Sequence, residues 1–374
     1  MKELQELLSY FKFVSNNPRE MLDKYVNDGF KVIGCMPYYN VKPIISALGM
    51  IPMSIWGANI NPRLAGKYSP AFTCSLSRTC LELGMNGTLD KLSAVVMPIL
   101  CDTLRGEVTA WRAGINNIDL IPFVPPQNRK DSGALDFYIE EIKYVTRNLE
   151  NIADKKINNK TLQEELDKYN KINGFVRKFT EMANKHLDII TASDRHNVIK
   201  ALSFLTPEDA IKNLIKLIEL LENEDEFISN GKKILISGIM LDSDEILNSI
   251  SKSNMHILED DLANESRIYR YDYPMASSAF ESFALHWLDI KGCSLAHDDD
   301  AYARGKMLVD LAKKHDIDIV ILAMMKFCDI EEYDQPYVTK MLQDNGFNVV
   351  SIDIDQSSKD FGQTLTKLQA LSEI

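Results

Sequence analysis

The stretch IDIVILAMMKFCDI, residues 317–330, decides the fold, because it combines an unbroken apolar run with a single cysteine just past its end. The apolar residues are continuous and do not alternate with polar ones, which is typical of a strand covered on both faces in a parallel sheet. In open α/β sheets, ligands bind beyond the carboxyl ends of such strands. The pattern therefore predicts a buried strand that places Cys328 at a ligand-binding edge.

Seven other segments carry the same kind of apolar run, bounded by glycine, proline or aspartate and separated by helical patterns. They are KVIGCM (31–36), MIPMSIWG (50–57), AVVMPILC (94–101), DLIPFV (119–124), KKILISGIM (232–240), MHILEDD (255–261) and NVVSIDI (348–354). The eight runs fall into two groups of four, one on each side of a long helical stretch. The sequence thus predicts an α/β protein with two Rossmann-like domains that have parallel sheets, plus a helical connecting region.

The middle of the chain is predicted to be helical, because its apolar residues recur at helical spacing and few glycines or prolines interrupt them. Thr161 and Glu164 have the spacing of a capping box, and Thr206 followed by Pro207 is typical of a helix start. We therefore expect four regions: an N-terminal helical segment (1–29), a first α/β domain (30–131), a helical region (132–230) and a second α/β domain (231–374).

Composition limits the classes of function. The chain of 374 residues has a formal net charge of −12, and it has no basic segment interleaved with aromatic residues, which argues against nucleic-acid binding. No stretch approaches the ~20 apolar residues that span a bilayer. The first residues, MKELQELLSYFKFV, predict an amphipathic helix and not a signal peptide. We expect a cytoplasmic protein that binds neither nucleic acid nor membrane.

The six cysteines are the residues most able to carry chemistry: Cys35, Cys74, Cys80, Cys101, Cys293 and Cys328. Three of them end predicted strands or lie just past one (Cys35, Cys101 and Cys328), and Cys74 opens a predicted helix. If the two halves face each other, Cys74 and Cys101 could meet Cys328 across a cleft. The alternative from position alone is that buried, inert thiols precede aspartates that begin helices. Their spacing matches no compact zinc or ferredoxin pattern.

Other motifs are absent or weak. The sequence has no GxxxxGK[ST] and no GxGxxG, so neither an ATP-hydrolysing P-loop nor a dinucleotide fingerprint is predicted. The histidines show no paired metal-binding spacing and are predicted to be structural or solvated. HDDD at 297–300 could bind a hard cation, but acidic residues also favour the helix start that follows. The acidic residues after Cys328 are predicted to form a solvated turn.

Longer motifs carry a resemblance that covers nearly the whole chain. They are IGCMPYY, ISALGMIPMSIWG, PAFTCSLSRTCLELG, MPILCDTLR, PQNRK, LISGIMLDS, EDDLANESR and MMKFCDIEEYDQP. Taken together, they make the chain resemble the 2-hydroxyacyl-CoA dehydratase family, and most closely its smaller, or beta, subunits.

This resemblance implies a cofactor and its ligands. Members of the family hold an oxygen-sensitive 4Fe-4S cluster through three motif cysteines, which correspond here to Cys74, Cys101 and Cys328. Cys35 is a possible fourth ligand, with an exogenous ligand as the alternative. Cys80 and Cys293 are expected to be structural.

The resemblance also implies a reaction, a hydro-lyase step in which an (R)-2-hydroxyacyl-CoA loses water to give an (E)-2-enoyl-CoA. One electron added to the thioester carbonyl makes a ketyl radical anion, which expels the adjacent hydroxide and acidifies the C3 proton. A separate ATP-dependent iron–sulfur activator protein supplies the electron, in keeping with the missing P-loop. The acyl-CoA binds mainly on a larger homologous alpha subunit, so this chain is expected to relay the electron within a heterodimer.

Two other functions stay open at this stage. One is a two-lobed protein that binds a small ligand, and the other is a stand-alone iron–sulfur electron carrier. The acyl group is equally open, because an aliphatic and an aryl side chain are both compatible with the sequence.

Overall fold

The structure is a computed structural model that describes residues 1–36, 38–227, 229–358 and 360–372. Within these residues, eight strands form two four-stranded sheets in which every recorded pairing is parallel. The predicted α/β class with parallel sheets is therefore confirmed. The predicted domain limits stay predictions, and residues 373–374 of the second domain lie outside the described residues.

The first sheet has the strand order β2-β1-β3-β4. Its strands are β1 (Val32–Cys35), β2 (Ile51–Ser54), β3 (Ala94–Pro98) and β4 (Asp119–Phe123). Nearly all of its strand residues before β4 are buried, which explains why these segments are apolar without alternation.

The second sheet repeats this topology in the order β6-β5-β7-β8. Its strands are β5 (Lys232–Gly238), β6 (Met255–Leu262), β7 (Ile319–Met325) and β8 (Asn348–Ile354). In each sheet the third strand of its half, β3 or β7, lies beside the first strand, at the point where the strand order reverses. Such a switch point leaves a crevice beyond the carboxyl ends of the strands.

Helices surround and connect the sheets. Those of the first half are α1 (Lys2–Asn16), α2 (Pro18–Asn27), α3 (Lys42–Ala47), α4 (Ser75–Met85) and α5 (Asp102–Gly114). The connecting region consists of α6 (Ala134–Ala153), α7 (Asn159–Lys185), α8 (Ala192–Ala201) and α9 (Pro207–Glu222). The second half has α10 (Asp244–Lys252), α11 (Ser266–Tyr269), α12 (Ala279–Leu288), α13 (Ala303–Lys314), α14 (Asp329–Asp344) and α15 (Gly362–Ser372).

The starts of α7 and α9 test two predicted caps. Thr206 accepts a hydrogen bond from the backbone of Asp209 and begins α9 with Pro207 next to it, as predicted. The predicted capping box of Thr161 and Glu164 is wrong. Asn158 is the cap instead, and its side chain accepts a hydrogen bond of 2.9 Å from the Thr161 backbone N–H. Asn is a stronger N-cap than Thr, so α7 begins earlier.

The carboxyl edges of the two sheets meet at the start of α4. Gln356, just past β8, donates from Nε2 to the backbone oxygen of Trp56, just past β2, at 2.9 Å. Ser75 of α4 accepts from the Gln356 backbone N–H at 3.1 Å and donates to the Met325 sulfur at 3.0 Å. Gly57 sits in this junction with φ +68°, and a Cβ there would lie 2.6 Å from the Gln356 side chain. The two halves therefore share a closely packed edge.

The described helices include none that is both long and apolar enough to cross a membrane.

Candidate metal centre

Cys101 and Cys328 occupy equivalent positions in the two halves. Cys101 follows β3 and is the N-cap of α5, while Cys328 follows β7 and is the N-cap of α14. The sequence had suggested that the aspartates cap these helices. In the structure each aspartate, Asp102 or Asp329, is the first helical residue, and the cysteine takes the capping position.

Cys74 completes the group from a third helix. It is the N-cap of α4, as the predicted helix start required, and it lies next to the junction residue Ser75. The three thiols act on one another electrostatically, since Cys101 affects Cys74 and both affect Cys328. The structure thus brings together the three cysteines that the strand topology suggested, two from the first half and one from the second.

A backbone N–H faces each thiol from three residues further along its helix. These amides belong to Ser77, Leu104 and Glu331, and each favours the ionised sulfur. At Cys101 the contact meets hydrogen-bond geometry, with 3.4 Å between the Leu104 nitrogen and the sulfur. Helix starts also present the positive end of the helix dipole. All three sulfurs therefore lie where a negative charge is stabilised.

Burial nevertheless keeps the free thiols neutral. It raises the pKa of the Cys74 thiol to about 12, and it raises the pKa values of Cys101 and Cys328 above the ordinary range. Nearby carboxylates, among them Asp329 and Glu331, act in the same direction. A reactive cysteine needs a lowered pKa, so this environment argues against nucleophilic catalysis. Bound cationic metal would instead compensate the thiolates.

Tyr38 supplies an independent sign that the site has room for a bound group that accepts a hydrogen bond. Its hydroxyl is buried without a hydrogen-bond partner in the described structure. Burial and the neighbouring sulfurs of Cys74 and Cys328 raise its pKa well above the ordinary value. Its backbone has φ +71°, which a non-glycine residue rarely adopts. Buried polar atoms without partners are rare, and a sulfide-rich cluster would offer this hydroxyl an acceptor.

The geometry excludes one kind of metal site. In the parts of the chain that the structure describes, no three His, Cys, Asp or Glu side chains are close enough to hold a single metal ion. An iron–sulfur cluster makes a different demand, because each thiolate binds its own iron and the sulfurs stay farther apart. The three cysteines therefore do not form a single-ion site in the part of the chain that the structure describes.

The remaining cysteines do not cap these helices, although Cys80 of α4 lies near enough to Cys74 and Glu107 to interact with them electrostatically. Cys35 is buried in β1, donates to the Ile33 backbone oxygen, and has Lys42 as its charged neighbour. The described interactions of Cys35 include none with the three capping cysteines, and its role as a fourth ligand stays a prediction. Cys80 donates to the Ile55 backbone oxygen, and Cys293 accepts from the Tyr39 hydroxyl at 3.1 Å.

Glu107 is a polar residue of the site that sequence reasoning missed. It is 2% exposed and joins α5 to α4 by accepting a hydrogen bond of 2.6 Å from the Ser77 hydroxyl. Burial raises the pKa of its carboxyl to about 7. The signal was present, because Glu107 lies at helical spacing between the buried residues Leu104 and Trp111. An acid on an apolar helix face is expected to have a specific role.

The start of α14 is held by buried charges, which corrects the predicted solvated turn. Glu331 is 1% exposed, and its carboxylate lies 3.2 Å from Arg304 and 3.8 Å from Arg267. Both arginines also pair with Asp261, a fully buried residue of β6. These four residues are named the α14 anchor below. They fix the turn that carries Cys328.

The HDDD segment pairs with lysines instead of grouping around a cation. Asp299 lies 2.9 Å from Lys130, and Asp300 lies 2.6 Å from Lys306.

Fold and site together define a class: α/β proteins with two parallel sheets whose carboxyl edges meet, and with three cysteine-capped helices at that junction. A family model described as 2-hydroxyglutaryl-CoA dehydratase, D-component, matches residues 37–374. The chain belongs to this family.

Three curated relatives match it from end to end. The beta subunit of (R)-phenyllactyl-CoA dehydratase from Clostridium sporogenes is 32% identical, with 100% of both chains covered. Lactoyl-CoA dehydratase subunit beta from Anaerotignum propionicum is 33% identical, again with 100% of both chains covered. The beta subunit of (R)-2-hydroxyglutaryl-CoA dehydratase from Acidaminococcus fermentans is 32% identical, with 99% of each chain covered. The chain is therefore similar to dehydratase beta subunits, and the predicted family is confirmed.

Proposed function

We propose that this dehydratase-family chain is the beta subunit of an (R)-2-hydroxyacyl-CoA dehydratase and holds a 4Fe-4S cluster through Cys74, Cys101 and Cys328. The observation that carries the proposal is the convergence of three cysteine-capped helices where the two sheets meet. Thiolates are the ligands of such clusters. The N–H groups that face the sulfurs and the unpartnered Tyr38 hydroxyl supply the outer contacts that tune a cluster.

When bound, the cluster takes up and gives back single electrons. The protein's own part is to position and shield it. Cys328 is only 9% exposed, and Met325 is buried beside Ser75, so bulk water is largely kept from this side of the site. Because thiols from both halves hold one group, the cluster would also lock the junction between the sheets.

The partners follow from the same proposal. The relatives are named as beta subunits, which supports a heterodimer with a larger homologous alpha subunit. In this scheme the acyl-CoA binds mainly on the alpha subunit, an ATP-dependent iron–sulfur activator docks transiently, and this chain relays the electron. The dehydration of the 2-hydroxyacyl-CoA to the 2-enoyl-CoA then takes place on the partner.

Anaerobic co-expression with a larger homologous subunit tests the assignment. We expect the two chains to co-purify, to be brown, and to carry about four irons per copy of this chain. Addition of activator, ATP and a reductant should then start dehydration of lactoyl-, phenyllactyl- or 2-hydroxyglutaryl-CoA. Iron without a partner chain would favour the stand-alone electron carrier. A colourless, iron-free protein would rule out both.

A further inference from the structure

A second site, a partly open pocket, lies between the first sheet, α7 and α12. It is a cavity of about 90 Å³. Its walls are mainly aromatic, with contributions from both halves of the chain and from the connecting helices. The aromatic lining residues are Tyr38, Tyr39, Trp56, Tyr138, Tyr169, Tyr269, Tyr273, Phe283 and Trp287. Ligand sites are typically such apolar cavities with a few polar groups.

One positive charge faces this cavity without compensation. Lys42 is the single lysine or arginine among the lining residues that the structure describes, and no aspartate or glutamate is among them. The hydrogen bonds and ion pairs recorded for the described residues include none of the Lys42 ammonium group. Burial lowers the pKa of Lys42. His286, the remaining titratable base of the lining, is neutral because burial lowers its pKa to about 4. Lys42 is only partly exposed, and a lysine in such a position normally has a counter-ion.

A polar side chain without partners lines the same cavity. Asn264 is 3% exposed, and neither its amide nitrogen nor its amide oxygen has a hydrogen-bond partner in the described structure. The other two amides of the lining are satisfied, since Asn40 donates to the backbone oxygens of Met36 and Val96, and Asn173 donates to the Tyr271 backbone oxygen at 3.0 Å. A buried amide with both ends free is uncommon in a native protein. It is a ready donor and acceptor for a bound molecule.

We propose that this cavity binds a short-chain carboxylate, with Lys42 as its counter-ion and the aromatic walls around its hydrocarbon part. A single lysine without arginine neutralises one negative charge, which suits a carboxylate better than a phosphate group. The volume is smaller than the ~150 Å³ cavity that admits benzene, which favours a chain of about two to four carbons over an aryl acid. This site contains none of the three capping cysteines and does not rest on the iron.

Binding to the full-length chain tests the proposal, with sodium acetate, propionate and isobutyrate as probes and sodium chloride at equal concentration as the reference. A ligand of the folded state raises the unfolding midpoint in a saturable way. We expect the carboxylates to do so in the unmodified protein, and chloride not to. Calorimetric titration of Lys42→Met should show affinity at least tenfold weaker, the fold-change expected when a charged hydrogen-bond partner is lost.

Lys171→Met is the matched control, because Lys171 is an exposed residue of α7, the helix that contributes Tyr169 and Asn173 to the cavity. It should bind like the unmodified protein. Lys42→Met should still fold, since it removes a partly buried charge that has no recorded ion pair among the described residues. Lys42→Gln serves as a second variant and should lose affinity in the same way. Equal carboxylate binding by the Lys42 variants would overturn the proposal, as would equal stabilisation by chloride or no stabilisation at all.

Discussion

The starts of α5 and α14 occupy the same topological position in the two halves, yet different interactions hold them in place. At α5, Cys101 itself satisfies a backbone donor, and the first helical residue, Asp102, has a side chain that is 91% exposed. At α14, the buried Glu331 joins the start of the helix to arginines of α11 and α13. Cys101 therefore lies on a turn whose first helical residue is exposed to solvent, whereas Cys328 lies on a turn that buried ion pairs hold in place.

This difference indicates how the site is divided between the halves. The first half supplies two cysteines, Cys74 and Cys101. The start of α5 has a local cap, whereas α4 begins at the junction, where Ser75 contacts Gln356 and Met325. The second half supplies one, Cys328, whose position depends on charges distant in sequence. A defect in the α14 anchor should therefore displace a ligand and also unfold the surrounding structure, whereas a defect at α5 should remain local.

The largest effect is expected from Glu331→Gln. Removing this carboxylate leaves Arg304 and Arg267 with less compensation in a site where all three side chains are buried. Breaking one partner of a buried ion pair costs about 3 kcal/mol or more. We expect the free energy of unfolding, measured by urea titration without oxygen, to fall by about that amount.

Glu332→Gln is the matched control, since Glu332 is the exposed neighbour of Glu331 in the same helical turn. It should change the free energy of unfolding by no more than about 0.5 kcal/mol. Similar losses in the two variants would break the comparison, because they would show that the anchor is not what holds α14.

The second effect is a dependence of the unfolding free energy on pH. It comes from another group of buried charges, which lies between the connecting helices and the second half. The ring of His196 lies 3.0 Å from Asp242 and 2.8 Å from Glu265. Burial opposes its protonation, but the two carboxylates outweigh burial and raise its pKa to about 9. An unfolded histidine has a pKa of about 6.5. Its contribution to stability is therefore complete below about pH 6.5 and is lost as the pH rises through about 9.

Urea titrations at pH 7 and pH 10 measure this loss, which we expect to be about 2 kcal/mol. His196→Gln should be less stable at pH 7 and should show a flatter dependence between these values. An unchanged slope in the variant would mean that the alkaline loss has another origin.

The smallest effect concerns the pair of residues that should behave alike. Asp102 and Asp329 are both exposed first residues of their helices. Each carboxylate stabilises the positive end of its helix dipole by about 0.3–1 kcal/mol, and salt screens this interaction. We expect Asp102→Asn and Asp329→Asn to lower the unfolding free energy equally and by less than about 1 kcal/mol, with the difference vanishing at high salt. A large loss for one of them would mean that it has a buried role.

Most of the scaffold could be predicted from the sequence, because continuous apolar runs such as 319–325 report local burial directly. The positions of Cys101 and Cys328 could be predicted for a related reason, since the carboxyl ends of parallel strands lie at one edge of a sheet, and Cys74 could be predicted only as the start of a helix. The burial of Glu331 could not be predicted, because its partners Arg267 and Arg304 come from other helices. The segment CDIEEYDQP also has the composition of a solvated turn. Asn158 was missed because Thr161, three residues further along, is also a residue type that begins helices.

The most direct test of the central claim is the iron content of the two equivalent cysteine variants, Cys101→Ser and Cys328→Ser, purified without oxygen beside Cys293→Ser. Cys293 is also buried, and serine can keep its contact with the Tyr39 hydroxyl. The proposal predicts about four irons per chain in the unmodified protein and in Cys293→Ser, with most of the iron lost from both other variants while their circular dichroism stays native. Full iron in either Cys101→Ser or Cys328→Ser would contradict the claim that the two halves share one cluster.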